Sequence, residues 1–521
     1  FEEEVTHMVI KRGNTFSPPY NEYVQVGSVT LNNPDGGEYS FTDPSGDLSD
    51  PYLLECINVD GSVDNIAFVR CGSTGSLHLD YPPGAVDDMR AYSESQMRFP
   101  AWRRVFSGQD DVSAVSETVS PECDFLIIAY DDFVQDIAPI CDFWEFKGVD
   151  VELIRCDGQT NTAEEIKNLI GRAHANNPLQ AVWLVGSTLP TDDYPGVDLV
   201  PTFHPQRDFW YGDIDGDSVI DVPVGRLPAR AIREVVFYVC KEMHYHWETA
   251  WGGKKDPDYY SKLQLNSVPD NHASVDKTAW TAAQYKVAET ATDVYNILAG
   301  QIGDDRVESL LATSLYEWYA GDDAKYYERV KDEIFLDLED GRHAVFGLSI
   351  HNSISDMYGT VLGQEWQSGG VSLPGEPSLR PCETFWFTPE CFSTSLSCNI
   401  RYDQNEPAFL DSRNIPVYEL FVNRGLLIFG SSGVTWHHVS YDVATMMADR
   451  VLAPDPSTGH ARPIGEVWKE VFNEIRTGSV LMPSGLIDYS LFGDPMLYIR
   501  DVYDAASSTP DLVSAELTMS E

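Results

Sequence analysis

Asp124–Gly148 reads DFLIIAYDDFVQDIAPICDFWEFKG, and its rhythm decides the fold. Asp124–Tyr130 is a continuous apolar run of the kind found in strands buried on both faces. Residues 132–147 then carry helical spacing, and Gly148 ends it. Val149–Arg155 reads as a second strand. Thr162 caps the next helix, with Glu165 at the capping-box position. Gln180–Gly186 (QAVWLVG) is a third strand. The order βαβαβ predicts a mainly parallel sheet flanked by helices.

The same rhythm continues downstream. Residues 231–248 and 273–299 read as helices, with a strand at Tyr260–Val268 between them and a further helix over 323–338. Strands follow at Ala344–Ile350, at Thr384–Phe387 extending towards Leu396, and at Leu426–Phe429. Helices over 442–452 and 464–476 close the domain. Upstream the texture differs. Short alternating runs (Tyr23–Leu31, Ala67–Cys71) are punctuated by turn clusters such as Asn33-Pro34-Asp35-Gly36-Gly37, which predicts a β-rich N-terminal domain over 1–115. Residues 108–121 read as a linker, 123–500 as one α/β domain and 501–521 as a polar linker or tail.

Composition narrows the partners. The 521 residues include 82 acids and 35 bases, a net charge of −47, although only 22% are charged. With 43% hydrophobic and 12% aromatic residues the chain can build sizeable cores, which excludes disorder as its dominant state. The surface repels phosphate, so neither nucleic acid nor anionic lipid is an expected partner. It favours cations, basic peptides and calcium. No apolar run reaches the roughly 18 residues of a membrane span, so no membrane insertion is expected. The first residue, Phe1, leads to the expectation of a processed chain. The nine cysteines contain no Cys-x-x-Cys; eight paired with one free and nine buried thiols are equally open, and Cys56 with Cys71 is the favoured single disulfide in an oxidising compartment.

Several chemistries lack their motifs: there is no P-loop, no His-Glu-x-x-His and no Gly-x-Ser-x-Gly. His351 and Cys398 stand out instead. His351 ends the run AVFGLSI, and Cys398 ends the run containing FSTSLS. Each is expected at the carboxyl end of a parallel strand, the edge where α/β sheets build their sites. An imidazole there can take the proton of a thiol and make it nucleophilic. Cys391, seven residues earlier, is the rival nucleophile. In Asp213–Asp221 (DIDGDSVID), the oxygens of Asp213, Asp215, Asp217 and Asp221 around Gly216 suit a hard cation, so a Ca2+ loop is expected, with an Asp- and Gly-rich hairpin tip as the alternative. His244 and His246 lie two apart on a helix, do not share a face, and read as surface histidines.

These segments together resemble gingipain-type cysteine peptidases. Asp124–Lys147 is similar to the opening of that family's catalytic domain, with Trp144, Lys147 and Gly148 at its helix end. Asp208–Ala229 (DFWYGDIDGDSVIDVPVGRLPA) resembles its Asp- and Gly-rich segment closing in VGRLP. Cys398-Asn399 resembles the nucleophile turn, Gly425–Trp436 (GLLIFGSSGVTW) the strand after it, and Leu491–Pro495 (LFGDP) the closing motif. The resemblance spans residues 123–500.

It implies a caspase-like fold, an extracellular or cell-surface location, a protein or peptide substrate and no organic cofactor. It also implies that the Cys398 thiolate attacks a peptide carbonyl while His351 handles the proton. Backbone N–H groups near Asn352 and Cys398 would hold the oxyanion. Trp436 would line the substrate pocket, and an acid within Asp208–Asp221 would meet a basic side chain before the scissile bond. A transamidase would use the same acyl-enzyme. The family has glycine after its histidine, whereas this chain has Asn352. That departure keeps a second reading open: a catalytically degenerate member that self-assembles as a structural subunit of a surface layer or filament.

Overall fold

The computed structural model describes residues 5–12, 24–30, 51–58, 63–70, 84–96, 113–114, 120, 122–158, 161–188, 198–203, 208–250, 262–268, 281–311, 342–349, 384–389, 420–421, 425–432, 437–455, 461–478 and 486–499. The chain divides into two units, Phe1–Leu77 and His78–Glu521. The smaller holds β1 (Val5–Arg12), β2 (Val24–Thr30), β3 (Pro51–Asn58) and β4 (Val63–Arg70) in one antiparallel sheet of order β2-β1-β3-β4. The division falls earlier than the change of texture at residue 115. The intervening stretch gives the larger unit helix α1 (Ala85–Gln96) and the short strand β5 (Ser113–Ala114). Burial is the reason: Ala85 and Met89 pack on Val236, Phe237 and Cys240.

In the larger unit the opening segment folds as its pattern predicts. Strand β6 (Phe125–Tyr130) is buried along all but its last residue. Helix α2 (Val134–Phe146) ends at Gly148, whose φ of +82° suits glycine. After β7 (Val151–Cys156) comes α3 (Ala163–Asn176), with both halves of its capping box formed: Glu165 N donates to Thr162 Oγ1 at 3.2 Å, and Thr162 N to Glu165 Oε2 at 2.8 Å. Then follow β8 (Ala181–Val185), β9 (Val224–Leu227), α4 (Ile232–Ala250), β10 (Lys262–Val268), α5 (Ala282–Ile302), β11 (Val307–Leu311), β12 (Arg342–Ser349), β13 (Thr384–Thr388), β14 (Gly425–Ser431), α6 (His437–Val451), α7 (Ile464–Gly478) and β15 (Tyr489–Phe492). The helix expected over 323–338 and the tail after residue 500 lie outside the described residues.

Eleven strands form one sheet of order β11-β10-β12-β13-β14-β15-β9-β8-β6-β7-β5. It has two parallel halves. The strands from β11 to β14 run one way; β15 is antiparallel to β14 and parallel to β9, so the strands from β15 to β5 run the other way. Apart from the two-residue edge strand β5, the first strand in sequence of each half, β6 or β10, lies between the second and the third. This is the doubly wound arrangement, and helices cover it as the pattern predicts.

Stacked aromatics register the first half. Phe346 of β12 stacks on Phe387 of β13 with ring centroids 4.8 Å apart, and Phe387 lies 6.5 Å from Phe429 of β14. Phe429 in turn meets Tyr489 of β15 at 5.5 Å and Trp468 of α7 at 4.8 Å. Each such contact adds about 0.5–1.5 kcal/mol beyond area burial.

The second half is organised by a charge. Arg226, on β9, has no exposed surface. Its Nε and Nη2 donate to the two oxygens of Asp208 at 2.7 and 2.8 Å, and Nη1 donates to the carbonyls of Gly186 and Val200 at 2.8 and 3.0 Å. Its neighbour Gly225 lets β9 and the turn after β15 touch, since a Cβ there would lie 2.7 Å from Gly493 O. Replacing Arg226 by Ala strands the Asp208 charge in the core. The expected loss is about 3–5 kcal/mol, measured as a shift in the urea midpoint. Arg226→Lys should recover part of it, because lysine keeps the charge but not the two-pronged geometry.

Candidate active site

Three parallel strands end together at one edge of the sheet. Phe346, Phe387 and Phe429 share a register across β12, β13 and β14, which finish at Ser349, Thr388 and Ser431. His351 follows β12 by two residues, and Trp436 follows β14 by five. Cys391 and Cys398 follow Thr388 by three and ten. His351, Asn352, Cys391, Cys398 and Trp436 themselves lie outside the described residues, as does Cys71.

The described residues show how the exits from these strands are held. Tyr489, buried on β15, donates its hydroxyl to Pro389 O at 3.1 Å and meets Ser440 Oγ at 3.2 Å. It thereby fixes the chain as it leaves β13 towards the cysteines. Ser432 N and Oγ donate to Asp488 O at 2.8 and 2.9 Å and fix the exit from β14. The sequence reading missed Tyr489, Ser440 and Asp488. No local motif marks them, because each acts on a segment tens of residues away.

The Asp-rich loop lies at the same edge. Ser431 of β14 pairs with Tyr489 of β15, and Phe492 of β15 pairs in parallel with Arg226 of β9. The amino end of β9 therefore lies beside the carboxyl ends of β12–β14, and Asp213–Asp221 leads into β9 from there. Gly216 (φ +81°) and Ser218 (φ +68°) make its sharp turn. Asp213 is buried, and its oxygens accept from Gly216 N at 3.0 Å and Ser218 N at 3.2 Å. Asp221 Oδ2 accepts from Ile214 N at 2.8 Å. Asn473 of α7 clasps the loop twice, its Oδ1 accepting from Ile220 N at 2.8 Å and its Nδ2 donating to Ile220 O at 2.9 Å. Lys469 Nζ donates to Asp221 O.

Carboxylate oxygens of Asp213, Asp215 and Asp221 lie within 4.8 Å of one another. Each oxygen that accepts one N–H keeps a second lone pair, so this donor set fits a hard cation. Asp217 is not part of that group; its Oδ1 caps Val219 N at 2.9 Å. Burial raises the Asp213 pKa, with Lys167 and the backbone N–H groups acting against it.

The two helix histidines are not at the surface. His244 and His246 are 7% and 1% exposed, because α1 and α2 enclose α4. The His246 ring stacks on Phe143 of α2 at 3.6 Å. Cys123, Cys141, Cys156 and Cys240 are buried, and burial raises Cys123 and Cys156 to about 12. None of these four is suited to attack a substrate. Among the described residues no helix is long and apolar enough to cross a membrane.

No curated protein matches the chain in sequence. Among solved structures, the Arg-specific cysteine proteinase gingipain R (RgpB) superposes with a TM-score of 0.52 at 15% identity, over 74% of this chain and 80% of that one. The complex of the Porphyromonas gingivalis RgpB pro- and mature domains gives a TM-score of 0.51 at 15% identity, over 72% and 79%. At that identity the likeness establishes the fold, which is the caspase-like one expected. The profile of peptidase family C25 matches residues 118–500, from just before β6 to just after β15, and the chain belongs to that family, the cysteine peptidases of gingipain type.

Proposed function

We propose that this chain hydrolyses peptide bonds of protein substrates outside the cell or at its surface, with Cys398 as nucleophile and His351 as its proton partner. What supports this reading is the convergence of three strand ends at one sheet edge, β12 ending two residues before His351 and β13 ten residues before Cys398. The His351 imidazole takes the thiol proton, the Cys398 thiolate adds to the scissile carbonyl, and the imidazolium then protonates the leaving amine. Water repeats the cycle to release the acyl group. Backbone N–H groups at Asn352 and Cys398 serve the oxyanion, and Trp436 borders the pocket. Acidic groups of the loop at the same edge favour a basic residue before the scissile bond.

A specific observation supports Cys391 as an alternative nucleophile: β13 stops at Thr388, which leaves Cys391 much nearer the strand end than Cys398. The structural-subunit reading rests on Asn352. One experiment separates the three. The folded protein is treated with iodoacetamide and the labelled cysteine identified by mass spectrometry. Rapid labelling of Cys398, lost in His351→Ala, is the expected result, and Cys398→Ala should lower kcat/KM on arginyl or lysyl peptides by about 10³-fold or more. Labelling of Cys391 instead moves the nucleophile. Absence of both labelling and peptidase activity leaves the structural subunit.

Ca2+ at Asp213, Asp215 and Asp221 would neutralise the loop and hold it against α7. Calcium should then raise the unfolding midpoint, by about 2.7 kcal/mol of stability at a hundredfold excess over Kd. Asp213→Asn should abolish the rise, and thermal unfolding with and without chelator reads it.

A further inference from the structure

The amino end of β15 lies at the catalytic edge, and one hydroxyl there reaches two of the segments that border the site. Because β15 runs antiparallel to β14, its first residue, Tyr489, pairs with Ser431, the last residue of β14. The Tyr489 side chain is buried. Its ring stacks on Phe429 with centroids 5.5 Å apart and meets Trp468 of α7 at 5.6 Å. With the ring so held, the hydroxyl bonds Pro389 O at 3.1 Å and Ser440 Oγ at 3.2 Å. A carbonyl can only accept, so the tyrosyl proton goes to Pro389 O, which leaves the Ser440 hydroxyl to donate to the tyrosyl oxygen.

Both partners matter for where they stand. Pro389 directly follows β13, and the chain runs on from it to Cys391 after two residues and to Cys398 after nine. Ser440 is the fourth residue of α6, which begins at the residue after Trp436. Neither bond reaches β12, the strand before His351. The two partners are anchored differently. Helix α6 is fixed in the core by Val439, Val443 and Met447, so it stays in place without the bond. Pro389 lies just past the last ladder pair of β13, Thr388 with Gly430, and there the Tyr489 hydroxyl holds the chain. All three groups are buried, so water does not replace a bond that is lost. Removing the hydroxyl therefore frees the chain that leads to the cysteines. A shift of about 1 Å at a reacting group can cost about a hundredfold in rate.

We propose that Tyr489 is a positioning residue for the peptidase reaction: its hydroxyl ties the segment that carries the nucleophile to the first turn of α6, and Ser440 acts through that hydroxyl. The proposal rests on the reading that a cysteine after β13, Cys398 or its rival Cys391, is the nucleophile. The hydroxyl sets how the thiolate meets the scissile carbonyl and leaves the binding groups beside α6 in place. Its loss is therefore felt in kcat and spares KM. The phenyl ring left by Tyr489→Phe keeps the stack between Phe429 and Trp468, so the variant removes the bonds without emptying the core.

The test measures kcat and KM on arginyl and lysyl peptides for the full chain, for Tyr489→Phe, for Ser440→Ala and for the double variant, with urea unfolding showing that each is folded under assay conditions. Tyr489→Phe should lower kcat about tenfold, the worth of one buried hydrogen bond, with KM within about twofold of wild type. Ser440→Ala should lower kcat about threefold, since it removes only the arm towards α6. The double variant should be no slower than Tyr489→Phe, because Ser440 has no route to the nucleophile once the hydroxyl is gone. An active wild type whose kcat survives Tyr489→Phe, or loses only in KM, overturns the proposal alone. Losses that multiply in the double variant overturn the link through Tyr489. Should Tyr489→Phe fail to fold, Ser440→Ala decides, and an unchanged kcat there sinks the idea. A folded wild type that hydrolyses no peptide overturns the peptidase reading itself, and the proposal with it.

Discussion

The buried pair of Arg226 and Asp208 is the interaction on which the rest of the larger unit depends. A guanidinium without water is tolerable when its N–H groups find oxygens and its charge finds a partner. Asp208 supplies the charge, and the carbonyls of Gly186 and Val200 accept from Nη1. Those partners come from the exit of β8 and from the chain that leads into the Asp-rich loop. Asp208 precedes the loop and Arg226 follows it on β9, so one ion pair fixes both ends of Asp213–Asp221.

That anchoring reaches the catalytic edge because the two halves of the sheet run in opposite directions. Were β15 and β9 parallel to β14, the loop entering β9 would lie at the far edge from the ends of β12 and β13. The reversal at β14–β15 brings it to the near edge. The edge is therefore composite: the ends of β12, β13 and β14 belong to one half, the acidic loop to the other. The seam carries this arrangement. It is held by the close approach of Gly225 to Gly493 and by Tyr238 bridging Leu426 and Asp494.

Much of this was legible in the sequence, and for physical reasons. Local patterns report local events. The run Asp124–Tyr130 is apolar without alternation because helices cover both faces of its strand. Thr162 and Glu165 cap a helix within four residues, and Gly148 takes a backbone angle that suits glycine. Where packing across the chain decided the outcome, the sequence misled or gave no signal. Strands β9 and β15 are short and carry a charge or mixed polarity, so they show no strand pattern alone. Helix α1 reads as part of a β-rich stretch until Met89 is seen against α4. His244 and His246 look like surface residues because α4 is rich in polar groups; packing against α1 and α2 then buries them.

The sequence by itself determined the family and the alternation of its longer strands and helices. Those properties follow from hydrophobic period, caps and motif spacing, all written within short stretches of chain. Only the tertiary structure decided that Asp213, Asp215 and Asp221 gather without Asp217, and that the acidic loop shares an edge with the ends of β12, β13 and β14. It likewise decided that Glu242 and Asp494 are both buried. Each of these depends on the direction and register of strands far apart in sequence, and a chain pattern carries no record of which groups will lose their water together.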